Sequence, residues 1–377
     1  MDVEHKGVGT EPPIRNPGGG IGVVALTSSV LRLSHEFPDR ALRYPQIRFM
    51  GSKFRLLPWL HDIFAELDFR TALDAFSGSG CVSYLLKSMG KEVHGNDFLN
   101  FCAVLAHATI ENPGVRLDTK DVESLLEYDP HHRHFIERTF SGIFFTPDDL
   151  RFLDQVWWNI SGLRNPYERS LAIAALIRSC AKRQPRGVFT VAGDPEHYKD
   201  GRRDLQLSLR EHFKEHVVAY NCAVFDNGKP NRVTRVPVLE LDAEQVDLVY
   251  LDPPYVPRAD DNCYVKRYHF LEGLSCYWEG LEIMQKSKVR KIKKPFTPFS
   301  YRHAAVEAFE RLFAKFSRSI LVLSYSSNGF PDLDVLVALM KRYKTHIEVF
   351  EKVHRYHFGT HAAAERNEVR EYLIVGR

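Results

Sequence analysis

The most constraining stretch of this 377-residue chain is a short apolar run, residues 71–76, that ends in Ser77-Gly78-Ser79-Gly80. The run reads as a strand, and the glycines after it let the backbone approach a ligand closely. Residues 81–89 read as a helix stopped by Gly90, and residues 92–95 as a second strand leading into Asn96 and Asp97. Strand, glycine turn, helix, strand is half of a doubly wound α/β sheet, whose sites lie at the carboxyl ends of its strands. Asp97 stands about 20 residues beyond the turn, where an acidic side chain accepts hydrogen bonds from both hydroxyls of a ribose. The dinucleotide fingerprint GxGxxG is missing, because Gly80 is followed by Cys81-Val82-Ser83. That argues against a pyrophosphate cofactor and for a nucleoside without phosphates. Taken by itself, the GxG turn is equally compatible with a purely structural role.

A second apolar strand, residues 246–251, enters Asp252-Pro253-Pro254-Tyr255. A rigid turn would explain two prolines alone. Four specific residue types at a strand end call for a chemical explanation. The exocyclic amine of a nucleobase is a poor nucleophile, because its lone pair is delocalised into the ring. A carboxylate and a backbone carbonyl that accept its two N–H bonds push the nitrogen towards sp³ and expose that lone pair. Asp252 and the carbonyl of Pro253 are suited to this, and Pro253 and Pro254 fix the backbone so that the acceptors are pre-organised. Tyr255 offers a flat face to a base taken out of the helical stack.

The remaining chain is organised around these two motifs. Residues 1–43, with Pro12, Pro13, Pro17 and Gly18-Gly19-Gly20, suggest a partly flexible arm. Residues 55–67 have helical spacing. From about residue 110 to 240, helical stretches such as 167–181 alternate with polar loops and interrupt the α/β alternation. The expected division is therefore an arm (1–43), a catalytic domain (44–110 and 241–377) and a mostly helical inserted lobe for target recognition (111–240). Ser300 is placed to cap a helix over 303–316, and residues 320–323, 347–350 and 372–375 supply later strands. The start lacks the pattern of a secretory signal, and no apolar run approaches the roughly 20 residues needed to span a bilayer. No CxxC pair occurs, and reduced thiols in a cytoplasm are expected. His131, His132 and His134 near Asp129 read as a polar loop, and no metal is expected.

Net charge is only +3, but its distribution is uneven. Residues 286–302 hold seven Lys or Arg and no acid, which leaves the rest of the chain at net −4. A solvated helix face usually mixes signs, whereas such a run can neutralise DNA phosphates. Lys288, Arg290, Lys291, Lys293 and Lys294 are its candidate contacts. Arg186, Arg202 and Arg203 add cations within the insertion, and arginine pairs bidentately with guanine.

With these motifs in place, the chain resembles the Dam-type (D12 class) DNA adenine-N6 methyltransferases, a family that includes restriction-modification methylases. Four features carry the resemblance in family order: Arg48-Phe49-Met50-Gly51-Ser52-Lys53, the FSGSG loop, the Asn96-Asp97 strand end, and DPPY. It covers about residues 44–377 and is weakest in the insertion. The resemblance implies a Rossmann-like methyltransferase sheet, S-adenosylmethionine (SAM) as cofactor, and direct transfer of its methyl group to adenine N6 of a flipped base in duplex DNA. It implies that Phe49, Met50, Gly51 and Lys53 lie near the methionine end of SAM. Asp74, Phe76, Ser77, Gly78 and Gly80 would form the cofactor loop, with Asp97 and Phe98 at the ribose. Asp252 would touch both SAM and the target amine. Two departures concern cofactor contacts: Phe49 stands where Dam has tryptophan, and Ser52 replaces a glycine. Tyr264 and residues 268–272 resemble the aromatic segment that follows DPPY; either they close over the base or they form a buried aromatic helix. With Lys266 and Arg267, Tyr264 joins the candidate DNA contacts. Residues 355–360 also look familial and receive no catalytic role. A cytoplasmic bacterial or archaeal protein, associated with the nucleoid through DNA and accompanied by a restriction enzyme, fits this picture. Cytosine-N4 methylation, a catalytically inactive SAM- or DNA-binding regulator, and an RNA or protein methyltransferase are the alternatives.

Overall fold

A computed structural model describes residues 35–192, 201–242, 245–257, 263–355 and 368–377. Most of the arm, residues 193–200 and most of the familial stretch 355–360 lie outside the described residues.

The central sheet has seven strands: β1 (Thr71–Asp74), β2 (Glu92–Asn96), β3 (Arg232–Thr234), β4 (Leu248–Leu251), β6 (Ile320–Ser326), β8 (Ile347–Arg355) and β9 (Glu368–Gly376). Two short strands, β5 (Val256–Pro257) and β7 (Gly329–Phe330), pair separately. The order is β3-β2-β1-β4-β6-β9-β8, parallel from β3 to β6 and antiparallel at β9 and β8. From β1 the chain winds one way to β2 and β3, and from β4 the other way to β6. The switch point of the sheet therefore falls between β1 and β4, where open α/β sheets bind their ligands. Register fixes the consequence: Asp74 pairs with Tyr250, so the FSGSG loop and DPPY leave the sheet side by side.

Alternation along the strands explains the layers. Ala72, Leu248 and Tyr250 face one side, under α1 (Leu57–Ala65) and α2 (Cys81–Ser88). Leu73, Val249 and Leu251 face the other, under α11 (Arg302–Lys315) and α12 (Leu333–Met340). The predicted helix over 55–67 starts as a 3-10 turn at Lys53–Leu56 before α1. Ser300 does not cap α11. It ends a 3-10 turn in which Phe299 is drawn into the core, and its hydroxyl meets Thr297 Oγ1 at 2.9 Å, leaving Tyr301 as the N-cap.

A third, mostly helical core is built from α3 (Asn100–Ala106), α4 (Thr119–Leu125), α5 (Phe135–Phe140), α6 (Pro147–Ser161), α7 (Pro166–Arg183), α9 (Leu209–Ala223) and α10 (Tyr264–Ser275), while the short α8 (Arg203–Gln206) buries no residue. Its helices begin at strong caps. Thr146, Asn165 and Ser208 accept backbone N–H bonds, with proline opening α6 and α7 and a capping box with Glu211 opening α9. Residues 111–240 do not all stand apart from the sheet, because β3 runs parallel to β2 at its edge.

Candidate active site at the carboxyl edge of the sheet

The loop after β1 is shaped by two glycines in left-handed conformation, Gly78 (φ 51°) and Gly80 (φ 83°). A Cβ at Gly80 would collide with the Tyr44 hydroxyl, which donates to Ser79 O at 2.6 Å. A Cβ at Gly78 would stand 3.1 Å from the Phe49 ring. The close approach of neighbouring groups thus requires glycine at both places.

Asp97, at the end of β2, reaches back to this loop. Its Oδ2 accepts the Gly78 N–H at 2.8 Å and its Oδ1 accepts the Leu99 N–H at 2.9 Å. Burial raises its carboxyl to about 6, against the pull of these backbone donors. Asp74, at the end of β1, is pushed up to about 7 by burial, while Ser83 Oγ donates to its Oδ2 at 2.6 Å. Its Oδ1 and the Ser77 hydroxyl are buried with no hydrogen-bond partner. Buried polar atoms are seldom left unpaired, and two in one cleft mark a place for a polar ligand.

Asp252 follows β4. The Lys53 ammonium sits 2.9 Å from Oδ1 and 2.8 Å from Oδ2, and also donates to Gly51 O at 3.1 Å. Burial raises the Asp252 carboxyl and the Lys53 charge opposes the rise. Asp252 keeps about a fifth of its side-chain surface open. A carboxylate presents roughly four lone-pair sites, so it can accept further donors beside the lysine.

The segment that carries Lys53 is held by α10. The Phe49 ring stacks on Tyr268 at 5.2 Å, the Met50 N–H donates to the Tyr268 hydroxyl at 2.7 Å, and the Tyr264 hydroxyl donates to Met50 O at 3.2 Å. Residues 268–272 are buried, so they form the aromatic helix core rather than a lid. His269 Nε2 meets Phe189 O at 2.7 Å, and Glu272 accepts the N–H groups of Asn100 and Phe101 at the start of α3. Of the α10 aromatics, Tyr264 alone reaches the cleft.

Apart from Gly80, every residue expected to contact cofactor lines one cleft of about 590 Å³, open to solvent, together with Ser52, Cys81 and Pro254. Tyr255 lies outside it. Its ring packs 5.3 Å from Tyr325, and the β5–β7 ladder continues directly from it. A second cleft shares Phe98, Pro254 and Tyr264 with the first and is also lined by Lys294, Pro295, Thr297 and Tyr301.

The candidate DNA contacts fall into two groups. In the first, Arg186 and Arg203 are exposed, Arg203 is paired with Glu215, and Arg202 donates to Pro185 O at 3.0 Å. In the second, Lys288, Arg290 and Lys291 lie where the chain turns back on itself, with Ile283 bridged to Ile292. There Arg290 (φ 52°) donates to Gln285 O, Lys293 pairs with Glu282 at 3.1 Å, and Lys294 lies over the Tyr301 ring. Lys266 and Arg267 are partly buried on α10.

The Lys53–Asp252 pair was not legible: a lysine before β1 and a carboxylate 199 residues later give no local signal of contact. Tyr44, which anchors the loop, carries no signal either. Asp204, one of the acids interspersed among the cations of the insertion, pairs with Lys182 at 3.2 Å and with Arg48, next to Phe49, at 3.3 Å, contacts that sequence spacing does not reveal. Among the described residues no group of three or more His, Cys, Asp or Glu is placed to hold a metal ion, and no helix is long and apolar enough to cross a membrane. His131 N–H and Trp158 Nε1 instead donate to the carboxylate of Asp129.

The glycine loop and Asp252 thus follow neighbouring strands at the switch point of the sheet, where open α/β enzymes bind their ligands. Residues 49–325 match the model of the D12 class N6 adenine-specific DNA methyltransferases, and the chain belongs to that family. It is a site-specific, adenine-specific DNA methyltransferase. The type II methyltransferase M2.HphI of Haemophilus parahaemolyticus is 32% identical over 328 residues, covering 83% of this chain and 93% of that protein. The modification methylase LlaI of Lactococcus lactis subsp. lactis is 25% identical over 79% of this chain, and the type II methyltransferase M.FokI of Planomicrobium okeanokoites 24% identical over 87%. The chain spans about half the length of these last two, 49% and 52%.

Proposed function

We propose that the cleft binds SAM and that this protein transfers the methyl group to adenine N6 in duplex DNA, as the modification half of a restriction-modification system in a bacterial cytoplasm. The reading rests on one observation: Asp252, tied to Lys53, stands in the same cleft as the glycine loop, Asp97 and the unpaired Asp74 Oδ1.

The residues present suit a cationic nucleoside. Asp97 can accept the ribose hydroxyls on lone pairs that Gly78 and Leu99 leave open. Asp74 and Ser77 offer unpaired polar atoms to the amino-acid end. Phe49 and Phe98 supply apolar walls, and no basic cluster at the loop suggests a pyrophosphate. When bound, SAM supplies an electrophilic methyl group.

The protein positions the acceptor. Lys53 favours the ionised form of Asp252 despite burial, so the carboxylate can accept one amine N–H while the Pro253 carbonyl accepts the other. Holding both acceptors on a proline-stiffened turn removes most of the entropic barrier to the in-line approach. Tyr255 offers its face to the flipped base. The inserted helices with Arg186, Arg202 and Arg203, and the basic turn with Lys288, Arg290, Lys291, Lys293 and Lys294, hold DNA phosphates and bases, with Tyr264, Lys266 and Arg267 nearer the cleft.

Transfer of tritium from labelled SAM to unmethylated plasmid, followed by nucleoside analysis, tests this. Label in N6-methyladenine, lost in Asp252→Ala, is expected. Label in N4-methylcytosine alone, or in RNA in preference to duplex DNA, would overturn it.

A further inference from the structure

Extruding a base leaves a gap in the stack, and proteins that open DNA commonly fill it with an apolar side chain. One residue here is placed for that task. Phe296 is 64% exposed, the only phenylalanine among the large exposed apolar residues of the described chain. Singly exposed apolar side chains are ordinary on a protein surface, so what singles out Phe296 is its setting. Its ring stacks on Tyr301 at 5.0 Å and 18°, and the Lys294 ammonium lies 5.3 Å from the centre of the same Tyr301 ring. The aromatic pair is thereby a rigid, cation-flanked plate rather than a loose side chain.

Its surroundings point the same way. Pro295 and Thr297, on either side of Phe296, line the second cleft, and that cleft shares Phe98, Pro254 and Tyr264 with the first. The lining of the second cleft thus runs from the basic segment, at Lys294, to Pro254 of DPPY. Phe296 stands beside it, in a stretch with seven Lys or Arg and no acid. Phosphates drawn to that stretch bring the duplex onto the exposed ring.

We propose that Phe296 enters the duplex and occupies the place of the target adenine while the nucleotide passes through the second cleft to Asp252. Tyr301 and Lys294 hold the ring in position. This rests on the methyl-transfer reading above and adds the residue that holds the duplex open. Phe296 then matters only where a base pair must be broken.

The test compares single-turnover methylation of two duplexes that carry the recognition sequence, found by modified-base sequencing of a methylated plasmid. In one the target adenine faces thymine, and in the other it faces an abasic site. For Phe296→Ala, a fall of roughly tenfold or more is expected on the paired duplex, with the abasic duplex within about twofold of wild type. Phe296→Trp should restore most of the paired rate. A 2-aminopurine at the target position should brighten on binding wild type and stay dim with Phe296→Ala on the paired duplex. Equal rates of wild type and Phe296→Ala on both duplexes, or equal losses on both, would overturn the proposal. Wild type that methylates neither duplex would instead sink the methyl-transfer reading itself.

Discussion

Burial raises the carboxyl of Asp252, and the Lys53 ammonium 2.8 Å away opposes that shift. Lys53→Met removes the opposition and leaves a buried carboxyl that takes up a proton more readily. Methyl transfer at pH 7 should fall by about 10²- to 10³-fold, the usual cost of losing one group that sets transition-state electrostatics. The acidic limb of the rate–pH profile should also move to higher pH, which distinguishes this role from simple cofactor contact. A limb that stays in place while the rate falls would refute it. A second pH effect belongs to the cofactor. Asp74 and Asp97 are raised to about 7 and about 6 by burial. A cationic, hydroxyl-bearing ligand favours their ionised forms, so, on the proposed binding of SAM, its affinity should be full above pH 8 and weaken as pH falls through these two values. Each group can contribute up to about tenfold per pH unit below its own value. Calorimetric titration between pH 5 and 8.5 should show two steps, and Asp97→Asn should abolish the lower one.

At the scale of elements, the short β5–β7 ladder sets the position of Tyr255. Gly329 lets this happen: a Cβ there would lie 2.8 Å from the Tyr325 hydroxyl and 3.0 Å from the Tyr255 ring. Gly329→Ala should displace Tyr255 and lower the turnover rate while leaving SAM affinity unchanged, measured by single turnover and direct titration. Equal losses in both would point to general disruption. Glu272 has a different task, holding the first N–H groups of α3 from within α10. Glu272→Ala leaves buried donors without a partner and should cost about 1–3 kcal/mol in denaturant unfolding. Much at this scale was legible in the sequence. The strands of residues 71–76, 92–95 and 246–251 and the helix of residues 167–181 announced themselves through apolar pattern and glycine or proline stops. Their neighbours across the sheet did not, because pairing of β9 between β6 and β8 rests on contacts far apart in sequence. Ser300 failed as a cap because burial of Phe299 decided the local geometry over hydroxyl propensity.

Across the whole molecule, the proposed encounter with DNA is a matter of charge. The seven cations of residues 286–302 stand against a remainder at net −4, so attraction is directed rather than general. Replacing both Lys288 and Lys291 by alanine should reduce the slope of log affinity against log salt by up to about 1.8, near 0.9 for each phosphate that is no longer neutralised. SAM affinity should not change, and an unaltered slope would remove this segment from the interface. Composition showed this asymmetry, while the contacts that organise the site escaped it. Arg48, Lys182 and Asp204 join the cofactor-side segment to the helical region by ion pairs that only the folded chain brings together.

The pairing of Lys53 with Asp252 has a consequence in time. The two are separated by 199 positions. At about 5–20 residues per second, the ribosome delivers the aspartate roughly 10–40 seconds after the lysine. On the proposed roles of the two residues, methyl transfer can begin only when the late-made and early-made segments have met.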